Sequence, residues 1–244
     1  MLRTIIWFIY FGLSLIGTIP KLLSIKKGIE NGKKAEDIET IHKYASRWAL
    51  FQIKNSGAKV KVYGQENVPK DTNVLFISNH QGNFDIPLIM AYIDKPKGFI
   101  AKIELSKFPI LSTWMKYMDC VFMDRSNIRK SGEAIVEGIK LLKNGRSLVI
   151  FPEGTRSRGK GLGEFKAGSF KLATKSKVPV IPVSINGSYR LMEKNGIKIT
   201  PAEVELFIHP MIEPSKLTKE ELDKLPETVK KIIASKVDTS EYSF

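Results

Sequence analysis

The sequence predicts an α/β fold, a mixed and largely parallel sheet flanked by helices, with a two-helix membrane-attaching segment at its N-terminal end. Three observations carry that prediction. From Ala58 onward, short β-branched or apolar runs alternate with longer helical segments. The residues before Ala58 instead hold one aromatic-rich apolar run and one amphipathic stretch. Two polar, glycine-containing stretches begin where predicted strands end, the place where such sheets bind ligands.

At 244 residues the chain is long enough to bury a sizeable core in one α/β domain. Its 43% apolar and 26% charged residues exclude wholesale disorder. A net charge of +14 calls for an anionic partner. Nucleic acid, an acidic lipid surface, a phosphorylated substrate and an acidic carrier protein all satisfy that, and sign alone does not choose. Cys120 is the single cysteine, which excludes an intrachain disulfide and a thiolate metal cluster and fits a reducing compartment. It stands in the apolar run Cys120-Val121-Phe122-Met123 and is expected to be buried.

The elements follow in order. Residues 5–19 are the most apolar run; as a helix they span roughly 22 Å, short of a bilayer core of about 30 Å. A signal peptide fits poorly, because Arg3 alone supports the charged region and no small-x-small site follows. Pro20 and then Lys21, Lys26, Lys27, Lys33 and Lys34 come next, so the segment suits a helix lodged in one leaflet with its basic flank on anionic head groups. A buried core helix is the alternative; Trp7, Phe8, Tyr10 and Phe11, with no polar face, weigh against it. Residues 36–55 read as a second helix, with Ile38, Ile41, Ala45, Trp48 and Gln52 near one stripe and His42 as a surface or interfacial histidine. Residues 1–56 are therefore expected to form the anchor and residues 57–244 the catalytic domain. Strands are predicted at 59–63, 73–78, 98–101, 120–123, 147–151, 178–185 and 204–208, and helices at 86–93, 105–117, 127–144, 165–176 and 218–236.

His80 follows the second strand and stands five positions before Asp85. On a continuous helix the two would point about 140° apart, so any meeting requires His80 in a loop that folds back near Gly82. A carboxylate on Nδ1 would fix the imidazole's tautomer and leave Nε2 as a base, suited to a reaction whose substrate brings its own hydroxyl. The plainer alternative is that Asp85, just before Ile86-Pro87, is an ordinary helix N-cap. The second stretch, Phe151-Pro152-Glu153-Gly154-Thr155-Arg156-Ser157-Arg158, opens a loop with Gly159, Gly161 and Gly163. Thr155, Arg156 and Ser157 beside exposed amides are able to grip a phosphate; a solvated basic turn is the alternative. No GxxxxGK[ST] or GxGxxG nucleotide pattern occurs, so the glycines read as a mobile lid. His209 reads as structural, Lys166, Lys171 and Lys175 as a solvated or carrier-docking face.

Asn79-His80-x4-Asp85 and residues 151–157 resemble the first and third signature blocks of the 1-acylglycerol-3-phosphate acyltransferase family. Residues 121–125, Val-Phe-Met-Asp-Arg, resemble the second block, with Met123 where isoleucine is usual. Residues 178–183 resemble the fourth, and Ala101-Lys102-x-Glu104-Leu105 a further family stretch. The blocks occur in the family's order and span roughly residues 74–183. The resemblance implies the glycerolipid acyltransferase fold. It also implies transfer of a fatty acyl group from an acyl carrier protein or coenzyme A thioester to the sn-2 hydroxyl of lysophosphatidic acid. His80 would be the general base and Asp85 its partner. Lys102, Arg125 and Arg156, with Thr155, would hold the substrate phosphate, and Glu153 and Gly154 would shape its pocket. No cofactor and no metal are expected. The partners expected are lysophosphatidic acid, the acyl thioester and an anionic membrane surface, with the active site on the cytoplasmic side of the cell membrane. An acyltransferase acting on another lysophospholipid or on glycerol 3-phosphate is the rival enzyme. Nucleic-acid binding is not expected, because the lysines are scattered rather than interleaved with aromatics.

Overall fold

The structure is a computed structural model that describes residues 1–32 and 34–238, with the backbone alone for 34–37. Lys33 and the side chain of Lys34, part of the basic stretch above, lie outside the described residues.

All seven expected strands are present: β1 (Lys59–Tyr63), β2 (Leu75–Ser78), β3 (Gly98–Lys102), β4 (Val121–Met123), β5 (Leu148–Ile150), β6 (Val180–Asn186) and β7 (Glu203–Ile208). They form one sheet in the order β1-β7-β6-β2-β5-β3-β4. Neighbours from β6 through β4 are parallel, whereas β7 runs antiparallel to β6 and β1 parallel to β7. The carboxyl ends of five consecutive strands therefore share one edge. Those central strands are buried on both faces, which is why they read as continuous apolar runs rather than alternating ones.

Alternate residues of each strand feed two cores. On one face Phe76, Phe99, Val149 and Ile181 pack with Ile53 of α3 (Lys34–Ser56) and with Leu88 and Ile89 of α4 (Asp85–Tyr92). On the other, Leu75, Ile77, Leu148 and Val180 meet α6 (Ile128–Lys143) through Leu142, α7 (Ala167–Ser176) through Leu172, and α9 (Leu225–Ala234) through Val229 and Ile233.

Three helix expectations need correction, each at a proline. The helix read over residues 5–19 is longer than that: α1 (Leu2–Gly17) leads through Thr18 into α2 (Ile19–Glu30), with Pro20 in the first turn of α2. A first-turn proline forfeits no intrahelical hydrogen bond, so the chain keeps turning. The span Leu2–Glu30 covers 29 residues and is long and apolar enough to cross a membrane by length and composition. The helix expected over 105–117 begins only at Pro109, as α5 (Pro109–Tyr117), after a 3-10 turn over Ile103–Lys107. The helix expected over 218–236 divides into α8 (Lys219–Asp223) and α9, with Pro226 opening the second piece.

The N-terminal helices are stitched onto the sheet domain. Trp7 packs against Phe84 with ring centroids 5.3 Å apart and tilted by 54°, its indole N–H donates to the Gln52 carbonyl at 3.1 Å, and Thr4 accepts the Ile199 amide at 3.0 Å. In α2, Ile25 is buried against Ile41 and Trp114. The remaining flank of α1 leaves Ile5, Ile9, Leu13 and Ile16 exposed, which suits the segment to membrane association.

Candidate active site

The strand-end edge gathers the sequence-selected residues. His80 follows β2, Glu153 to Arg156 follow β5, Lys102 ends β3, and Arg125 lies two residues beyond β4. The polypeptide after β2 does not continue as helix. It turns through Gly82, where the Asp85 amide bonds the Gly82 carbonyl at 3.3 Å, and α4 starts at Asp85 with Phe84 as its cap. That turn closes the five-residue gap. The N-cap alternative for Asp85 is not what forms: its carboxylate points back into the loop.

Asp85 is fully buried. Its Oδ2 accepts from His80 Nδ1 at 2.7 Å, the Gln81 amide at 2.6 Å and the Gly82 amide at 2.8 Å. Its Oδ1 accepts the Ser188 hydroxyl. A carboxylate so held only accepts, so Nδ1 of His80 carries the proton and Nε2 is left with its lone pair. Among the described residues Nε2 makes no hydrogen bond. The imidazole stacks on Phe151 at 4.2 Å and 21°, which fixes its plane.

The two site loops are laced together. The Ser157 and Arg158 amides donate to the His80 and Gln81 carbonyls at 2.7 and 3.1 Å. Asn79 pairs with both main-chain groups of Ile185, its Nδ2 donating at 2.9 Å and its Oδ1 accepting at 2.8 Å, and so locks β2 to β6. Gln81 accepts the Gly187 amide at 2.9 Å.

Glu153 and Gly154 brace the loop through their own hydrogen bonds. Glu153 is buried and accepts the His80 amide at 2.7 Å on Oε1 and the Gly163 amide at 2.8 Å on Oε2. Burial pushes its carboxyl above the usual range, and these two amides work against that. The Gly154 amide bonds the Phe151 carbonyl at 3.1 Å and its carbonyl accepts from Arg125, at a φ of 70°. Burial lowers the Arg125 pKa from its ordinary value. Arg156 donates from Nη1 to Asn83 Oδ1 and lies 3.4 Å from Glu193 Oε1. Thr155 and Lys102 are exposed at the same edge.

Sequence reasoning missed Ser188, Glu193 and Gln81. Ser188 and Glu193 open two successive 3-10 turns after β6, Ser188–Leu191 and Glu193–Asn195, more than a hundred residues from the loop they touch, and no spacing rule reaches that far. The acceptor Gln81 was passed over inside the first block. From Arg125, Pro152 and Gly154 an apolar groove of about 1230 Å³ runs between α6 and α7 over Ile100, Ile135, Ile139 and Ile150, with Lys166, Lys171 and Lys175 at its margin. Among the described residues no three His, Cys, Asp or Glu side chains cluster as a metal site requires.

The chain is similar to known proteins. An acyltransferase family model matches residues 59–186. The chain is 36% identical over 185 residues to the 1-acyl-sn-glycerol-3-phosphate acyltransferase of Borreliella burgdorferi, covering 75% of this chain and 74% of the relative. It is 34% identical over 206 residues to a probable enzyme of that name from Mycoplasma genitalium, covering 80% and 75%. Among solved structures, the 1-acyl-sn-glycerophosphate (LPA) acyltransferase PlsC of Thermotoga maritima aligns with a TM-score of 0.80 and 32% identity over 96% of this chain and 92% of that one.

Proposed function

The chain belongs to the acyltransferase family, and from that premise we propose that it acylates the sn-2 hydroxyl of 1-acyl-sn-glycerol 3-phosphate from an acyl thioester, giving phosphatidic acid. The observation that carries the chemistry is the 2.7 Å His80–Asp85 pair beside an arginine-bearing loop, with no serine or cysteine of the described residues hydrogen-bonded to Nε2. The acceptor alcohol therefore is the nucleophile.

His80 Nε2 takes the hydroxyl proton as the oxygen attacks the thioester carbonyl. The tetrahedral intermediate collapses, the C–S bond breaks, and the imidazolium returns its proton to the departing thiolate. Asp85 keeps the ring oriented and offsets its transient charge, as in hydrolase triads without their serine. Arg156, Arg125, Lys102 and Thr155 hold the acceptor phosphate, whose charge suits guanidinium forks. Glu153 and Gly154 shape that loop. The α6–α7 groove takes the fatty chain of the donor, and its lysine margin faces an anionic carrier, whether acyl carrier protein or coenzyme A. The exposed apolar flank of α1 and the lysines of α2 support attachment to an anionic membrane, and the active site on its cytoplasmic side is part of the same proposal.

The test follows thioester consumption with and without lysophosphatidic acid, using both donor types, for wild type and His80→Ala. Phosphatidic acid from the wild type, and a loss of at least about 1000-fold in a folded His80→Ala, is the expected result. Equal activity in the two proteins overturns the mechanism. Activity with another lysolipid and none with lysophosphatidic acid overturns the acceptor.

A further inference from the structure

We infer that Glu193 positions Arg156 for the acceptor phosphate and so sets the enzyme's preference for a phosphorylated acceptor. The inference rests on the reading above and names a residue beyond the four signature blocks and beyond the matched span 59–186.

Glu193 begins a 3-10 turn, Glu193–Asn195, and its side chain is only 6% exposed. Oε1 accepts the Asn83 amide at 2.7 Å and stands 3.4 Å from Arg156 Nη1. That same nitrogen donates to Asn83 Oδ1, so a single corner of the guanidinium is tied to a carboxylate and an amide that are themselves tied together. The other guanidinium N–H groups make no hydrogen bond among the described residues, and the side chain is 33% exposed. A planar fork gripped at one corner offers its remaining donors in a fixed direction, which is what a phosphate oxygen pair requires.

A second observation comes from the other oxygen. Oε2 is buried and makes no hydrogen bond. A Cβ on Gly82 would lie 2.3 Å from it, so the loop between His80 and Asp85 is cut to admit this carboxylate. Burying an ionisable group with an unsatisfied oxygen is costly, and an apolar side chain would fill the space without that cost. Packing therefore does not account for a charge there; the guanidinium does. Burial pushes the Glu193 carboxyl upward, the Asn83 amide opposes it, and Arg156 also favours the ionised form.

The test compares lysophosphatidic acid with a monoacylglycerol, the same acceptor without its phosphate, in wild type and Glu193→Gln. Glutamine keeps the shape and an acceptor for the Asn83 amide but removes the charge. The expected result is a KM for lysophosphatidic acid raised about tenfold with kcat nearly unchanged, and turnover of monoacylglycerol unchanged. In an Arg156→Ala background, Glu193→Gln should add nothing to KM. Should the glutamine variant fold poorly, Glu193→Asp, which keeps the charge but withdraws it, is expected to raise KM in the same way. Equal losses on both acceptors together with a lowered Tm assign Glu193 a purely structural role and overturn the inference. Retained phosphate preference in the variant overturns it alone. A wild type with no such preference overturns both this and the acceptor reading.

Discussion

The described residues hold two histidine–aspartate pairs, and they are built inside out relative to each other. In the first, Asp85 is fully buried, held by two amides and a serine, and presents His80 at 2.7 Å on the strand-end edge. In the second, His42 of α3 is the buried partner and Asp94 the fully exposed one, at 3.3 Å. A carboxylate locked in a dry, hydrogen-bonded place orients an imidazole and supports its charge. One that projects into solvent is screened and mobile, and gives its histidine little of either. Proximity of the two residue types therefore does not make a dyad; the burial of the acid does. His42 instead joins the N-terminal helix to the sheet domain, and burial with nearby Lys97 lowers its pKa.

Replacing the two acids should separate the pairs most sharply. Asp85→Asn is expected to cut kcat by about three orders of magnitude, since the amide no longer supports the imidazolium. Asp94→Asn should leave it unchanged. Steady-state rates of the two purified variants check this, and comparable losses would erase the distinction.

Ser188→Ala probes how far the first pair depends on its surroundings. Removing that hydroxyl leaves Asp85 Oδ1 without its side-chain donor in a buried place, a loss of about 1.5–3 kcal/mol that stability and rate share. A fall of about tenfold in kcat with an unchanged KM is the expected outcome.

The last effect belongs to the second pair's neighbourhood and concerns stability and pH rather than turnover. Lys97 is buried beneath α3, donating to the Ile93 and Lys95 carbonyls at 2.7 and 3.0 Å, and burial brings its pKa down from 10.5 to about 7. Between these values the unfolded chain binds a proton that the folded one does not, so stability rises with pH across that window, by at most about 1.4 kcal/mol per unit. Below pH 7 both states are charged and the slope vanishes. His42, whose pKa is also lowered by burial, adds a slope of the same sign below 6.5. Unfolding midpoints from pH 7 to 10 should climb in wild type and flatten in Lys97→Met.

Much of the architecture was legible in local pattern. The central strands are apolar because helices cover both faces, and each was found within a few residues; Cys120 is buried as expected, and burial pushes its thiol up to about 12. Helix ends were less legible, because a proline opens one helix as readily as it closes another. Pro20, Pro109 and Pro226 each did the former. His42 was expected as a surface or interfacial histidine, and the interfacial alternative is what forms, because α4 packs over that side of α3.

What the sequence determined by itself was chemistry tied to short spacing: an imidazole and a carboxylate five residues apart around Gly82, an arginine in a glycine-bearing loop after a strand, and an apolar aromatic N-terminal run. Local sterics and strand ends dictate those without reference to the rest of the chain. Only the tertiary structure decided which acid is buried, which partners Glu153 and Gly154 brace, and that Ser188 and Glu193 come from beyond β6 to hold Asp85 and Arg156. Burial and long-range hydrogen bonds are properties of the packed whole. They arise when strands distant in sequence bring their carboxyl ends to one edge, and no local pattern encodes which side chains meet there.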